Sequence, residues 1–349
     1  MRKILGLLWI VVFSMLFLVS CMNKKGEVKK NEKDSTSMIN DAALNKLTEQ
    51  INKDPKNAIL YNERAKIYIQ KHIIDSALQD IKRALIRDTT RSDFYITLSD
   101  VYFSIKKGAS AKLALQKAIY IDPKNIDAYT KIAELYYYEK DYNNTLDNIN
   151  KALKVYKIIP KAYFISGMVY KEKGDTLKAI ENIKTAIEQK PDYYDANLML
   201  AKIYSAKKNK LAIDYYNSAL NINPKSIEVL YGLGLFYQNN NQINKAIDCY
   251  MNILQISPQN KFAHYNLGYI NLIYLNKYQE AIRHFTNAIN CDHNYVEAYY
   301  NRGYTYEKIK NYPNAKADYK KALALRVNYD KAIQGLNRID DNSLMNYSK

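Results

Sequence analysis

The chain is poor in the residues from which catalytic and metal sites are usually built. Its 349 residues include three cysteines, four histidines and ten glycines. The glycines fall mainly at repeated positions, so they form no glycine-rich phosphate loop, and no serine or cysteine lies in a nucleophile motif. We therefore expect no enzyme activity, no cofactor and no small-molecule substrate.

What the sequence does contain is a unit of 34 residues, with single-residue slips, that recurs eight times. Apolar residues at helical spacing, a break, and a second apolar run make each unit a helix–turn–helix. Position 8 of the unit is always small, which lets the two helices approach closely. Position 11 is tyrosine in seven of the eight units, and position 27 is alanine in all but the sixth. The units begin at Ala58, Ser92, Ile126, Pro160, Tyr194, Ile227, Lys261 and Val296.

These repeated positions resemble the tetratricopeptide repeat, and the resemblance covers about residues 58 to 327. It implies an all-α fold, a right-handed superhelical solenoid of about eight helix hairpins. It also implies that the first helix of each hairpin lines a concave wall. The clamp that some relatives use for a carboxyl terminus is not matched here, because Lys66 and Lys202 stand alone at its positions.

Both ends of the repeat array carry a segment suited to cap it. Residues 38–52 read as one amphipathic helix, and residues 330–339 have apolar residues at helical spacing. Terminal repeats need such caps because their outer faces would otherwise remain in water. We therefore place the solenoid at residues 38–340 and a flexible tail at 341–349.

The amino terminus has the pattern of an export signal. Residues 1–20 combine two basic residues with an apolar run and a small residue, Ser20, directly before Cys21. The letters Leu18-Val19-Ser20-Cys21 resemble a bacterial lipobox, which implies cleavage before Cys21 and its lipidation. An uncleaved membrane anchor is the alternative, but the apolar run is barely long enough to span a bilayer. Residues 21–37, rich in lysine with a few acids, then form a flexible tether.

The expected location follows from this terminus. A lipid-anchored protein of the bacterial cell envelope fits the lipobox. Met22 follows the cysteine where inner-membrane retention in many Gram-negative bacteria relies on aspartate, so the resemblance favours the outer membrane. The net charge of +17 could suggest nucleic acid. Export argues against that partner, and attraction to anionic lipid head groups is the simpler use of the charge.

The remaining cysteines and histidines do not predict a site. Cys249 and Cys291 fall two helical turns apart on neighbouring second helices, about 10 Å, which is too far for a disulfide. We expect both to be free thiols. His284 occupies the position equivalent to Cys249, and His293 lies nearby, but the compact spacing of metal ligands is missing. We therefore expect no metal.

Function should then lie on what we call the inner face, positions 2, 5, 9 and 12 of the first helices, which share one side. In repeats two and three this face carries an acidic rim, Asp93, Asp100, Asp127 and Glu134. In repeats four to eight it carries an aromatic and aliphatic ladder. The ladder comprises Phe164, Met168, Leu198, Tyr231, Leu235, Phe262, Tyr265, Tyr269, Leu272, Tyr300 and Tyr304. We expect these side chains to be exposed and to form a binding groove, although 34 tyrosines would place some rings inward through coding bias alone.

The sequence thus predicts a membrane-anchored adaptor that binds a partner protein or an extended peptide, in cell-envelope assembly or secretion. Two alternatives stay open. One is a structural scaffold that associates with itself, and the other is a glycan-binding or enzyme-associated subunit of the envelope, for which Tyr231, Tyr265 and Tyr300 could serve as stacking platforms.

Overall fold

The structure is a computed structural model, and it describes residues 41–347, with side-chain burial for residues 41–340. The signal, the lipidated cysteine and the tether predicted for residues 1–37 lie outside the described residues. The chain divides into two compact units, unit 1 up to Ile158 and unit 2 from Ile159. The described residues are helical, with no strand among them.

Unit 1 is a stack of three helix hairpins preceded by a single helix. Residues 41–53 form the described part of helix α1, and Ile51 on it is buried. The three hairpins that follow are α2 (Ala58–Gln70) with α3 (Ile74–Arg87), α4 (Ser92–Ser104) with α5 (Gly108–Ile121), and α6 (Ile126–Tyr138) with α7 (Tyr142–Val155).

Unit 2 contains five hairpins and a final helix. They are α8 (Pro160–Glu172) with α9 (Thr176–Gln189), α10 (Tyr194–Ala206) with α11 (Leu211–Ile222), α12 (Ile227–Asn239) with α13 (Ile243–Ile256), α14 (Lys261–Ile273) with α15 (Tyr278–Cys291), α16 (Val296–Lys308) with α17 (Tyr312–Leu325), and then α18 (Asp330–Tyr347). Each first helix begins at the residue that opens a predicted repeat. Helix α18 continues past residue 340, where the sequence analysis ended the solenoid.

The hairpins close because position 8 is small. The position is buried in all eight repeats, and at Gly234 an added Cβ would lie 2.8 Å from a ring carbon of Tyr250. At Gly268 the same added atom would lie 2.8 Å from the ring of Phe285. These contacts are too short for a real Cβ, so the large ring of the second helix occupies the space that a side chain on the first helix would need. The expected close approach is confirmed.

The turn inside each hairpin uses a left-handed residue. After the first helix, one residue adopts positive φ and the next amide bonds back to position 11, as in Asp141 to the Tyr136 carbonyl at 2.9 Å. This satisfies carbonyls that the helix end would leave unpaired. Only one of these eight residues is glycine; they are His72, Lys106, Lys140, Gly174, Lys208, Asn241, Asn276 and Lys310. The other seven therefore hold an L-residue in a costly conformation.

A buried ion pair distinguishes the first repeat and the last. In unit 1, Arg64 donates two hydrogen bonds to Asp80, at 2.6 and 2.9 Å, and a third to Thr48. In unit 2, Arg302 binds Asp318 and Thr286 in the same pattern, at 2.8, 2.8 and 3.0 Å. Both arginines occupy position 7, where the inner repeats have mainly leucine or isoleucine.

The carboxyl-terminal cap packs on the last hairpin. Helix α18 contacts α16 and α17, and Ala332 and Ile339 on it are buried. Arg338 donates two hydrogen bonds to the Glu307 carboxylate, both of 2.9 Å, and the Tyr319 hydroxyl donates to the same carboxylate at 2.5 Å. The cap is thus held by apolar burial and by a paired charge. The predicted all-α hairpin fold with a terminal cap is confirmed for unit 2.

Candidate interaction surfaces

The inner face of unit 2 is formed by the first helices α8, α10, α12, α14 and α16. Neighbouring first helices contact each other directly, as α10 does with α12 and α14 with α16. The predicted ladder residues therefore lie on adjacent helices. They are not equally accessible, because Phe262 is 46% exposed while Leu198 is 7% exposed and Leu272 is 3% exposed. The remaining ladder residues are half-buried.

Phe262 is the exposed centre of an aromatic group. The ring of Tyr231 from α12 meets it edge-on, with centroids 6.1 Å apart, and Tyr295, just before α16, meets it at 6.2 Å. Lys261 places its ammonium 5.0 Å from the Phe262 centroid and 5.4 Å from that of Tyr295. The same ammonium pairs with Asp292 at 2.6 Å. The exposed ring is therefore held in position by its neighbours and has a cation beside it.

Two of the ladder tyrosines are fixed through their hydroxyl groups by the following repeat. Asn301 donates to the Tyr265 oxygen at 2.8 Å, and Asn266 donates to the Tyr231 oxygen at 3.5 Å. Tyr265 also packs on Phe285 and Tyr295, with centroids 5.8 and 5.0 Å apart. Burial raises the pKa of Tyr265 to about 12. Its ring is thus part of the packing between repeats.

The last repeat supplies a second aromatic group. Tyr300 stacks on Tyr304 with centroids 6.3 Å apart and planes at 9°, and it also packs on Tyr319 and Tyr329. Lys308 lies 5.0 Å from the Tyr304 centroid. Both rings of the stacked pair are half-buried, so this group also contributes to the core near the cap.

The expectation of a fully exposed ladder is wrong for several of its members. Leu198 and Leu272 are core residues, because they lie within buried clusters between the two helices of their hairpins and the neighbouring repeats. Tyr265 is half-buried and packs between repeats, so its truncation must affect stability as well as any binding. Tyr295 was missed, since it precedes its helix and falls outside the four positions used to define the inner face. The residue directly before each repeat varies in type, so the repeat pattern did not single out Tyr295.

The acidic rim of unit 1 is largely compensated by cations and amides. Arg91 binds Asp93 through two nitrogens, at 3.0 and 3.2 Å, and the buried Asn62 donates to the same carboxylate at 3.4 Å. Lys131 binds Asp100 at 2.6 Å. Asp127, in the first turn of α6, is exposed. The rim is therefore less acidic than its sequence indicates.

A pocket of about 190 Å³ lies within this part of unit 1, between α4, α5 and α6. Its lining residues combine rings, aliphatic groups and charges; they are Ser99, Asp100, Phe103, Leu115, Lys131, Glu134, Leu135 and Tyr138. Phe103 and Tyr138 are 50% and 60% exposed, and their rings stack with centroids 6.0 Å apart and planes at 24°. Phe103 occupies position 12, so the repeat register could have found it, whereas Tyr138 at position 13 lies outside the four inner positions.

Two of the three histidines of unit 2, His264 and His284, form a buried pair that the sequence did not reveal. The Nδ1 atoms of His264 and His284 are 3.3 Å apart, and Nε2 of His264 lies 3.1 Å from the Pro258 carbonyl oxygen. If Nε2 of His264 donates to that carbonyl, its Nδ1 accepts from His284, and both rings are neutral. Burial lowers the pKa of His264, and burial lowers that of His284 to about 4.

The described residues show no metal-binding group of three or more histidine, cysteine or acidic side chains. Cys249 is buried and Cys291 is exposed, and both are free, as expected. No helix among the described residues has both the length and the apolar character required to cross a bilayer.

Comparison with known proteins agrees with the helical-hairpin architecture. Family models described as TPR repeat or tetratricopeptide repeat match residues 271–310, 296–329, 166–227 and 92–125. A model described as anaphase-promoting complex, cyclosome, subunit 3 matches residues 205–288.

Among curated proteins, an N-terminal acetyltransferase A complex subunit-like protein of Schizosaccharomyces pombe is 28% identical over 36% of this chain and 18% of its own. A TPR repeat-containing protein of Methanocaldococcus jannaschii is 26% identical over 51% of this chain and 34% of its own. The chain thus spans about a third or less of the length of these relatives. Among solved structures, PilF of Pseudomonas aeruginosa is 16% identical with a TM-score of 0.53, over 60% of this chain and 95% of that one. At this identity the likeness concerns the fold alone.

The stacked antiparallel hairpins define an all-α helical-repeat protein, a class that binds other proteins along the faces of its helices. The chain belongs to the tetratricopeptide repeat superfamily. Proteins of this superfamily act as adaptors and scaffolds and are generally not catalytic.

Proposed function

We propose that the protein is a lipid-anchored adaptor of the bacterial cell envelope, which holds a partner protein, or an extended segment of one, on the inner face of unit 2. The observation that carries the proposal is the exposed ring of Phe262 between Tyr231 and Tyr295. Large rings that are already fixed by their neighbours lose little entropy on binding, so they are favoured anchors at protein interfaces.

The chemistry of this surface favours a partner that brings apolar side chains together with polar backbone. Phe262 offers a ring face, while Lys261 and the hydroxyl groups of the neighbouring tyrosines offer polar contacts at its edge. An apolar centre with a polar rim is the arrangement found in protein–protein interfaces. A peptide laid across α12, α14 and α16 would place one apolar side chain on Phe262.

The anchor is the part of the proposal that rests on residues 1–21. Acylation needs the thiol of Cys21, so Cys21→Ser should prevent lipidation and normal processing. The measurement is partition of the mature protein into detergent, followed by fractionation of inner and outer membranes, where we expect the outer one. A serine variant that still partitions as a mature-length species would contradict the anchor.

The partner is best tested with a photo-crosslinking amino acid placed at residue 262 in living cells. The matched control places it at Leu177, which is also exposed but lies on the second helix α9 of the same unit. We expect a discrete protein to be captured from residue 262 and not from residue 177. Capture of a second copy of the chain would favour the self-associating scaffold instead.

The captured protein then has to bind in purified form. Because Phe262 is half exposed, Phe262→Ala should weaken this binding at least tenfold, about 1.4 kcal/mol, with little change in the melting temperature. Leu177→Ala should leave the affinity unchanged. Equal affinities of the two variants would place the site elsewhere.

A further inference from the structure

The second helices of unit 1 carry a concentration of positive charge at their carboxyl-terminal ends. The last six residues of α3, of α5 and of α7 together contain lysine and arginine and no acidic residue. We call these cations the basic patch; they are Lys82, Arg83, Arg87, Lys117, Lys151 and Lys154.

The cations lie on one side of their helices. In α3, α5 and α7 the alanine at position 27 is fully buried, whereas the two residues before it and the second residue after it are exposed. Because these helices occupy the same place in successive hairpins, their exposed positions share one surface of unit 1. The basic patch is therefore a continuous feature of the surface of this unit.

The helix dipole does not account for the patch, although cations near a carboxyl end are favourable. The second helices of unit 2 have the same dipole. Their last six residues contain one lysine and one glutamate in α9, no charge in α11, α13 or α15, and two lysines in α17. The excess of positive charge thus belongs to unit 1 and not to second helices in general.

Part of this charge is compensated within the fold. Arg83 lies 3.3 Å from the buried Asp80, and Lys151 pairs with Asp147 at 2.6 Å. Among residues 41–340, no carboxylate pairs with the three remaining lysines, which are all exposed. The loops after the three helices add two acids and three bases, so the surface stays positive; they are Asp88, Arg91, Asp122, Lys124 and Lys157.

Two large apolar side chains lie among these cations. Ile86 is 81% exposed and Tyr120 is 78% exposed. The ammonium of Lys117 lies 4.7 Å from the centroid of the Tyr120 ring. Lysines beside exposed aromatic and aliphatic groups suit a lipid surface, since ammonium groups bind head-group phosphates while the rings enter the interface.

The point at which the described chain begins brings unit 1 near the proposed anchor. Asp41, the first described residue, pairs with Lys71 at the turn of the first hairpin. The twenty peptide steps from Cys21 to Asp41 can span at most about 70 Å. Helix α3 has 14 residues and is therefore about 21 Å long. A bilayer that holds Cys21 is thus within reach of the basic patch.

We infer that the basic patch of unit 1 docks on an anionic phospholipid surface. Lys82, Lys117 and Lys154 contact the lipid phosphates, and Tyr120 lies at the head-group boundary. The inference deepens the proposed membrane anchoring and rests on it for the presence of a bilayer. Docking fixes the orientation of unit 1 on the membrane, which a tether alone does not do.

The test uses the mature chain from Cys21 onward, purified without acyl groups, so that binding reports the protein surface and not a lipid anchor. It is titrated with vesicles of phosphatidylcholine alone or mixed equally with phosphatidylglycerol. We expect binding to the mixed vesicles to be tighter by about tenfold or more. It should be lost at about 1 M salt, where the Debye length is about 3 Å.

A triple variant locates the binding surface. Lys82→Gln combined with Lys117→Gln and Lys154→Gln should weaken binding to the mixed vesicles by about tenfold or more, because each lysine near a lipid surface contributes to the attraction. The native chain and this variant share the lysines of residues 22–37, so the charge of the tether does not affect the comparison.

The matched control removes the same charge from unit 2. Lys207→Gln combined with Lys208→Gln and Lys210→Gln changes three exposed lysines in the turn between α10 and α11, which have no acidic partner among residues 41–340. This variant should bind the mixed vesicles within about twofold of the native chain, since charges distant from the contact are screened.

Fluorescence provides a second measurement that needs no loss of charge. The single tryptophan of the chain, Trp9, precedes Cys21, so the mature chain has none. Tyr120→Trp then reports on the basic patch, and its emission should move to shorter wavelength on mixed vesicles and be quenched by brominated lipids. Leu177→Trp, at an exposed position of α9 in unit 2, should show neither change.

Three results would overturn the inference: equal binding to neutral and mixed vesicles, equal losses in the two triple variants, and unshifted Tyr120→Trp emission at saturating lipid. Binding of the patch to nucleic acid, or to a second copy of the chain, without binding to vesicles would also contradict it. Failure of the anchor is seen separately, because normal processing of Cys21→Ser contradicts acylation and leaves the vesicle affinities unchanged.

Discussion

The inner faces of the two units use the same helix positions with different chemistry. Position 5 carries Asn62, Ile96 and Thr130 in unit 1, whereas in unit 2 it is always a large apolar or aromatic residue, Phe164, Leu198, Tyr231, Tyr265 and Tyr300. In unit 1 the surface charges are fixed by ion pairs such as Asp100 with Lys131. In unit 2 the rings of successive repeats pack on each other.

In unit 1, the residues available for binding contribute little to stability. In unit 2, most of the residues available for binding also stabilise the fold. Exposed ion pairs contribute little to folding, so a charged pair on the inner face of unit 1 such as Lys131 with Asp100 can change with small effect on stability. The tyrosines of unit 2 fill space between repeats, and their loss removes packing. Only an exposed ring such as that of Phe262 can serve binding without a large contribution to stability.

The largest expected effect concerns the buried ion pair that both units contain. Arg302→Leu leaves the Asp318 carboxylate buried without its cation, which typically costs about 3–5 kcal/mol. Arg64→Leu should cost less, because Arg83 remains 3.3 Å from Asp80. Chemical denaturation with hydrogen exchange resolved by helix measures both. If both variants lose the same unfolding free energy, Arg83 does not compensate for the loss of Arg64.

The next effect compares an aromatic residue packed between repeats in unit 2 with an exposed one in unit 1. Tyr265→Ala should destabilise the protein by about 2 kcal/mol, because the ring packs on Phe285 and its hydroxyl binds Asn301. Tyr138→Ala in unit 1 should change stability by less than about 0.5 kcal/mol, since that ring is exposed. Thermal melts of the two variants provide the comparison, and similar melting temperatures would contradict it.

A pH effect is expected in unit 2 from the histidine pair. The folded pKa of His284 is about 4, below the usual 6.5, so the unfolded chain binds more protons between these values. Stability is therefore full above pH 6.5 and is lost as the pH falls toward 4, by about 2 kcal/mol at pH 4.5.

Neighbouring charges also act on this histidine, since Arg283 and His264 lower its pKa and Glu280 raises it. The measurement is therefore the difference in unfolding free energy between the native chain and His284→Gln across pH 4–7. We expect the native chain to depend more steeply on pH over this range. Parallel curves would show that surface carboxylates alone carry the acid dependence.

The smallest expected effect is a gain in stability at a left-handed turn residue. It is tested with one substitution in each unit, at Lys140 and at Gly174. Lys140 in unit 1 has φ of 61°, so Lys140→Gly relieves a left-handed conformation that costs about 1–2 kcal/mol, partly offset by the greater freedom of glycine when unfolded. A net gain of about 0.5–1 kcal/mol is expected. In unit 2 one of the equivalent residues is already glycine, and Gly174→Ala should destabilise by a similar amount. Denaturation midpoints measure both, and a loss on Lys140→Gly would contradict the argument.

The sequence by itself determined the repeat, its register and the residue at which each first helix begins. Position 8 has to be small because the second helix lies in van der Waals contact with it, as Tyr250 does with Gly234. A small residue is present at this position in every repeat. Local spacing also places Asp93 and Phe262 on the same side of their helices. Such features depend on residues that are near in sequence, or that repeat with a fixed period, so periodicity reveals them.

Only the tertiary structure decided which inner residues are accessible. Leu272 and Phe262 both belong to the inner face of α14, but Leu272 is buried against the second helix of its hairpin and Phe262 is exposed. The bond from Asn301 to Tyr265 joins residues 36 positions apart, and the pair Lys131–Asp100 joins residues 31 apart. These contacts depend on how adjacent hairpins pack and on which rotamers then fit. Because each repeat differs in the side chains it presents to the next, no period within the sequence encodes them.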